Sequence, residues 1–443
     1  MVRLEAYSET HIVVLARSSP LLSNPLLRPD PKRTVIRPFA PGDAPGFEKA
    51  GESRAQRTIE RIRALGPGEL ALEFARLKAM LERRHRHVEA ILLRRFEELD
   101  DPAIKAEEFS LPQKMLIGGY FSAEYSFEAA ALFNPSIARH WDQEGVPEGG
   151  VRFVLSLRGI GEGHVSSVTF RTGTWLPGRE ILLDEPSRYA MPPSIAQAPG
   201  EDDGALRVTF DDIEDVSEAV LFPMAPSQRQ GIEDLRLVEF SDPDGEPGYF
   251  GTYTAFSGSA IRSEILRTRD FRSFDMRPLG GRYAGNKGMA LFPRKIAGRY
   301  AMLGRQDNEN IWLLMSDDLN RWDEAEKTIT PRWPWEFIQI GNCGSPIEID
   351  EGWLTILHGV GMVRNYTIGA CLLDKTDPTK VLARTARPLL YPTSETRDGY
   401  VPNVVYSCGS LLHSRQLLLP YGVADNFATF ASVSIDELLG EMN

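Results

Sequence analysis

Apolar residues recur at helical spacing between Glu52 and Leu99, as Leu70, Leu72, Phe74, Leu77, Met80 and Leu81, then Val88, Ile91, Leu92 and Phe96. Positions three or four apart share one face of a helix, so this segment is predicted to be helical, with a break at Gly66-Pro67-Gly68. A further helix is predicted over 111–132, where Ser110 with Gln113 has the pattern of a capping box. Ahead of these, His11-Ile12-Val13-Val14-Leu15 reads as a short strand, and residues 18–45, rich in Pro and Arg, read as an extended arm.

After Asn134 the pattern changes to short apolar runs separated by Gly, Pro, Asn and Asp. Examples are Phe153–Leu157, Val165–Phe170, Tyr249–Thr254, Tyr300–Leu303, Ile311–Met315, Trp353–Leu357 and Leu417–Leu419, the last closed by Pro420. Runs of this length bounded by turn residues predict strands. A loose repeat is present as well, because Asp270-Phe271-Arg272-Ser273-Phe274 and Asp318-Leu319-Asn320-Arg321-Trp322 lie about fifty residues apart. One propeller blade needs four short strands in roughly 40 to 50 residues, so the stretch from Asn134 onward has room for about five or six blades. The expected organisation is an N-terminal strand, arm and helical extension over 1–133 and a mainly β domain over 134–443.

Hydrophobic residues make up 42% of the 443, enough for a large core, and the formal charge of -12 argues against a nucleic-acid binder, which needs clustered Lys and Arg. Cys343, Cys371 and Cys408 are odd in number and far apart, with no metal-ligand spacing and no disulfide framework. Glu5 and Glu9 stand where a secretion signal would need an uninterrupted apolar core. No run approaches the roughly 18 to 20 apolar residues of a membrane span. The expectation is a cytoplasmic protein.

The strongest chemical signal is Glu233-Asp234-Leu235-Arg236, which runs into the apolar Leu237-Val238-Glu239-Phe240. A carboxylate held beside a second carboxylate and a guanidinium can have its pKa tuned in either direction, as proton donation to a leaving group requires. The plain alternative is a solvated turn with a weak surface ion pair. Other signals point away from sites. His85 and His87 are two residues apart and do not share a helical face, so no metal centre is expected there. The Arg83–His87 run is balanced by Glu82 and Glu89. Gly159-Ile160-Gly161-Glu162-Gly163 lacks the strand-to-helix context of a nucleotide loop and reads as a turn.

Five segments in order carry a family resemblance. They are Gly231–Arg236, Asn286–Ile296, Ile311-Trp312 with Ser316–Leu319, Gly352-Trp353-Leu354 with His358-Gly359-Val360, and Tyr366–Ala370. Together they resemble glycoside hydrolase family 130, over about Asn134 to Leu439. The resemblance implies a five-bladed β-propeller that cleaves β-mannosidic bonds with inversion, by phosphorolysis or hydrolysis. The helical extension lies outside that core and is expected to serve as an oligomer contact or a lid.

By the same resemblance Asp234 is the general acid, acting through a sugar hydroxyl, with Glu233 and Arg236 setting its charge and holding the sugar. Leu235 stands where the family usually has Pro. Arg262, Lys287 and His358 are the candidates for binding phosphate. Gln339 departs from the basic residue that family phosphorylases carry before the segment Ile340-Gly341. Hydrolysis would instead recruit a carboxylate, Glu162 or Glu348. Asn134, Arg158, which ends an apolar strand, and Asp425 are expected sugar contacts, with Tyr366 or Trp335 as an aromatic platform. Neither a metal nor an organic cofactor is implied, and inorganic phosphate is a co-substrate on the first route only. The rival class is a propeller that binds carbohydrate or protein without catalysis.

Overall fold

The computed structural model describes residues 24–47, 53–100, 104, 108–197, 204–241, 248–393 and 397–443. The strand expected at 11–15 lies outside these residues. The described chain is mainly β with few helices, and it divides into two units, each with its own core.

The smaller unit comprises Pro31–Phe127 with Ser187–Pro192. Its helices are Arg54–Arg63, Pro67–Leu81, Val88–Glu97 and Leu111–Tyr120. The break at Gly66-Pro67-Gly68 is the start of the second helix, with Gly66 as N-cap and Pro67 in the first turn, where its missing N–H costs nothing. A second break follows at 82–87, ending at His87 in the left-handed region. Leu70, Phe74, Leu77 and Leu81 pack into the apolar core, but Leu72 and Met80 point to solvent.

The helix predicted over 111–132 begins with the expected Ser110–Gln113 box and stops at Tyr120. Gly118 and Gly119 are poor helix formers, and Gly118 lies so close to the 88–97 helix that a Cβ would meet the Leu92 carbonyl oxygen at 2.0 Å. Ser122 Oγ donates to Gly118 O, and Ser122–Tyr125 then forms a strand paired with Val35–Pro38 of the expected arm.

The larger unit holds Glu128–Pro186 and Pro193–Asn443 with the described part of the arm preceding Pro31. Its strands fall into antiparallel groups in chain order. The first contains Ala131–Arg139, Val151–Ile160 and Ser166–Leu176. The second contains Gly231–Phe240, Gly248–Phe256, Ile261–Thr268 and Ser273–Pro278, and joins the first through a single parallel pair, Gly231 with Ser166. Ala290–Leu291, Tyr300–Gly304, Ile311–Ser316 and Glu324–Ile329 make the third. The fourth is built on Gln339–Asn342, Gly352–Val360, Tyr366–Leu373 and Val381–Arg384, and the last on Val405–Tyr406, Leu411–His413, Gln416–Val423 and Phe427–Ser434.

Apolar clusters join neighbouring groups. Phe240 and Ile265 pack with Leu291 and Met302, Leu303 and Leu313 with Ile340 and Leu357, and Ile356 and Ile368 with Leu417 and Leu419. A fourth cluster unites the first group with the last, through Leu132, Phe153 and Leu155 against Leu418 and Phe430. In the loose repeat, Asp270 and Asp318 each accept backbone N–H groups of their own turns, and Phe274 and Trp322, four residues on, are both fully buried.

Two boundaries differ from expectation. The division expected at 133/134 falls inside the strand Ala131–Arg139. The last apolar run passes through Pro420 to Val423, because on one side of that strand the ladder is interrupted between Leu418 and Gly422, where a missing N–H is tolerated.

Candidate active site

Both strands that carry the central polar residues are bulged at the position that matters. The register of Gly231–Phe240 against its neighbour shifts between Glu233 and Arg236, and that of Ala131–Arg139 shifts between Phe133 and Ser136. Asp234 (φ 53°) and Asn134 (φ 47°) sit in these bulges in the left-handed region. Bulges re-aim side chains and, like such strained conformations, cluster at functional sites. Here they bring the two side chains together, with Asn134 Nδ2 donating to Asp234 Oδ1 at 2.5 Å. Ser136 Oγ pins the arrangement by accepting from Leu237 N (2.9 Å).

Charged groups surround this pair. Arg158 donates through Nη2 to Glu233 Oε1 (2.8 Å) and through Nη1 to Asp234 Oδ1 (3.4 Å), while Nε is held by Ser166 Oγ (2.8 Å). Lys287 Nζ reaches the other oxygen of Glu233 at 2.8 Å. Arg236 is buried, with Nη2 donating to Tyr406 Oη (2.7 Å) and Nη1 to the Asp234 carbonyl (3.2 Å). Burial pushes the Asp234 carboxyl up, but Arg158, Arg236, Lys287 and the Asn134 hydrogen bond overcome it and hold the carboxyl below its ordinary value. It is therefore ionised in the free protein. Its Oδ2 takes no hydrogen bond from the described residues.

These groups line a cavity of about 300 Å³. Opposing residues come from three further strand groups, among them Arg305, Asn342, His358, Arg364, Tyr366 and Asp425. His358 faces Gly341 across the strand pair, where any Cβ would meet its ring at 2.3 Å. Burial first, then Arg305 and Arg236, push His358 well below the usual imidazole pKa, so it is neutral. Asn134 Oδ1, Arg236 Nε, Arg305 Nε and Asn342 Oδ1 are buried without a hydrogen-bond partner among the described residues. Each such atom costs about 1–3 kcal/mol. Four around one cavity mark a space shaped for a polar ligand.

Asp425 is the second carboxyl on this wall. Burial lifts its pKa from 3.8 to about 6, aided by the charge of Asp234 and opposed by Arg158 and Arg364. The native state thus binds an extra proton between the unfolded and folded pKa values, and stability present below that window is lost as pH rises through it. Asp425→Asn is expected to stabilise the protein at pH 7 by on the order of 2 kcal/mol. A urea denaturation series checks this, and the gain should vanish near about pH 4, where the carboxyl is neutral in both states.

Of the residues singled out from sequence, Asn134, Arg158, Asp234, Arg236, Lys287, His358, Tyr366 and Asp425 line the cavity, and Glu233 stands behind Asp234, gripped by Arg158 and Lys287. Arg262 does not reach it. Its Nε donates to Glu264 Oε1 (2.7 Å), and Glu264 also accepts from Ser227, Gln228 and Tyr253 in a separate polar knot. Neither candidate base lines the cavity. Glu162 sits in an exposed turn, and Glu348 is forked by Arg294 (2.7 and 2.8 Å) and paired with Lys375 (3.3 Å). Trp335 packs against Gly359 and Gly369 and donates to Ala386 O (3.2 Å), so of the two platform candidates Tyr366 is the one that lines the cavity.

Four polar lining residues were not anticipated: Arg305, Asn342, Arg364 and Tyr406. Arg305 directly follows the strand Tyr300–Gly304, as Arg158 lies near the end of its own strand, and that strand-end position was the available signal. Arg364 lies in the tip Gly361–Asn365, whose left-handed residues match those of the tip Gly161–Val165 in the first group. Nothing local marks Tyr406. Among the described residues no group of three or more His, Cys, Asp or Glu could hold a metal ion, and no helix is long and apolar enough to cross a membrane.

A beta-1,2-mannobiose phosphorylase of Thermoanaerobacter sp. (strain X514) is 30% identical over 317 residues, 69% of this chain and 96% of that protein. One from Listeria innocua is 32% identical over 231 residues, 50% of this chain and 63% of the relative's own length. The solved beta-1,2-mannobiose phosphorylase from Listeria innocua has the same fold, with a TM-score of 0.52 at 22% identity over 72% of this chain and 92% of that one. Residues 203–443, which include the Glu233–Arg236 bulge and most of the cavity wall, match the family model described as beta-1,4-mannooligosaccharide phosphorylase, and the chain belongs to this family, glycoside hydrolase family 130.

Proposed function

We propose that this protein is an inverting phosphorylase of β-mannosides, with β-1,2-linked manno-oligosaccharides as its substrates. The observation that carries the reading is Asp234, a half-buried carboxylate with one open oxygen on a cavity that also gathers Arg158, Arg236, Lys287, Arg305 and Arg364. In the reaction a phosphate oxygen bonds to the anomeric carbon, the glycosidic C–O bond breaks, and the leaving oxygen takes a proton from Asp234 through a sugar hydroxyl. Inversion then yields α-mannose 1-phosphate and the shortened glycan.

The electrostatics support this order of events. An ionised Asp234 cannot donate, but phosphate entering among Arg158, Arg236 and Lys287 offsets the charges that hold its carboxyl down. Burial then dominates and the carboxyl takes up a proton, so nucleophile binding arms the acid. The water route needed a carboxylate from Glu162 or Glu348, and neither lines the cavity. A pure binding module would leave Asp234 exposed and unpaired, and it is neither.

The fold that accompanies this reading is a five-bladed propeller. It is supported by the five antiparallel strand groups and by the apolar cluster joining the first group to the last. A cytoplasmic location goes with three buried, unpaired cysteines. The helical unit is read as an oligomer contact, which the mass of the protein in solution tests.

Incubation with β-1,2-mannobiose, with and without inorganic phosphate, decides the reaction. Mannose and mannose 1-phosphate are expected only when phosphate is present. Mannose released equally without it would return the water route, and no product from a range of β-mannosides would return the binding module.

A further inference from the structure

A second concavity, of about 540 Å³, lies in the larger unit between the second and third strand groups and shares no lining residue with the catalytic cavity. One wall is aromatic. Phe240 is buried and packs edge-on to Phe250 (ring centroids 5.3 Å apart) and tilted against Tyr300 (5.9 Å), and the latter two are half-buried. The rim is polar and carries both signs, with Arg267, Arg277, Asp275, Asp317, Asp318 and Asn320.

Most of these side chains are already held in place. Arg207 forks Asp275 (2.8 and 3.0 Å), Arg299 donates to Asp317 (3.1 Å), and Asp318 accepts from Asn320 N (2.9 Å) within its own turn. Arg267 lies over the Phe250 ring (5.5 Å) and has no carboxylate partner among the described residues. Each keeps oxygens or N–H groups to spare for a ligand. Three carboxylates repel a polyanion and two guanidiniums repel a polycation, so the rim suits an uncharged ligand whose groups both donate and accept, that is, hydroxyls. An aromatic wall beside them suits a sugar ring, apolar on its C–H face and polar at its edge.

We propose that this groove is a second, non-catalytic glycan site, which holds a β-manno-oligosaccharide chain while cleavage proceeds in the central cavity. The identity of the sugar rests on the mannoside reading of that cavity. No bond changes in the groove, and its contribution is to keep longer chains near the enzyme as a second attachment point.

Calorimetric titration of the full-length protein with β-1,2-mannotetraose, in phosphate-free buffer, tests this. Wild type is expected to take up two molecules per chain. A variant carrying Arg267→Ser and Asn320→Ala is expected to take up one, with its unfolding midpoint and its kinetics on β-1,2-mannobiose unchanged. Its KM for long β-1,2-mannan chains should rise roughly 10-fold with kcat retained, a modest share of what a second attachment point can supply. Phe250→Leu, which removes the ring and no charge, should lose the same molecule. One mannotetraose per chain in wild type, or two in both variants, overturns the inference and leaves phosphorolysis standing. No mannotetraose bound at all, together with no cleavage of β-1,2-mannobiose in phosphate, overturns both.

Discussion

Asp234→Asn is expected to lower turnover of β-1,2-mannobiose by roughly 10²- to 10⁴-fold, the contribution of a positioned general acid. The amide keeps the shape of the side chain but has no proton of suitable acidity to deliver. Two companion effects separate a lost acid from a collapsed site. The substitution removes one negative charge from among Arg158, Arg236 and Lys287, so phosphate should bind more tightly in the variant than in wild type. Substrates whose leaving group needs no protonation, such as a mannosyl nitrophenolate, should lose far less rate. Turnover of mannobiose equal to wild type in a folded variant would remove Asp234 from the mechanism. Weaker phosphate binding together with lost activity would point to misplacement of the cations.

The largest effect on stability is expected from Arg384→Ala, at about 3–5 kcal/mol. Arg384 Nη2 donates to Glu336 Oε2 at 2.7 Å, with side chains 7% and 0% exposed, and Nη1 donates to Thr330 O at 3.0 Å. The other oxygen of Glu336 accepts from Arg332 N (2.6 Å) and Trp333 N (3.0 Å), so this pair folds the loop that leads into Gln339. Burial already pushes the Glu336 carboxyl up in spite of Arg384. Without the guanidinium it rises further, and the destabilisation should shrink as pH falls and the carboxyl protonates in the folded state. Denaturant titrations of Arg384→Ala, Glu336→Gln and the double variant measure the coupling. A loss below about 1 kcal/mol, typical of an exposed pair, would show that the pair has little bearing on stability.

Most of the cavity-lining residues, including the scattered Asn134, Arg158, Lys287, His358, Tyr366 and Asp425, were legible through the family resemblance, whereas Arg305, Asn342, Arg364 and Tyr406 were not. Glu233, Asp234 and Arg236 could be read together because they form one of five ordered segments that carry the family resemblance, whereas on their own they would pass for a solvated turn. Arg305 and Arg364 are lone arginines at a strand end and a hairpin tip, which is how most solvated arginines look too. Arg262 shows the converse error. Neighbouring strand residues face opposite ways, and from one strand alone its direction toward Glu264 could not be told from a direction toward the cavity. Each apolar run named from the sequence falls on a strand. The overlong helix at 111–132 had a different cause, since an apolar pattern that continues through Phe121 and Phe127 hides the glycine pair that ends it. Bulges at Asn134 and Asp234 left no trace in composition, although they decide where both side chains point.

The cavity's parts leave the ribosome far apart in time. Asn134 and Asp234 are separated by 100 positions, and Arg236 and the Tyr406 hydroxyl that binds it by 170. At synthesis rates of about 5–20 residues per second, the Arg236 strand exists for roughly 10–30 s before Tyr406 has been made. The arm closes later still, when Asn24 Nδ2 bonds to Phe430 O across 406 positions. A nascent chain can therefore build its early strand groups while the cationic pocket still lacks a wall, and a message cut short before Tyr406 yields a protein with the acid motif and no finished pocket around it.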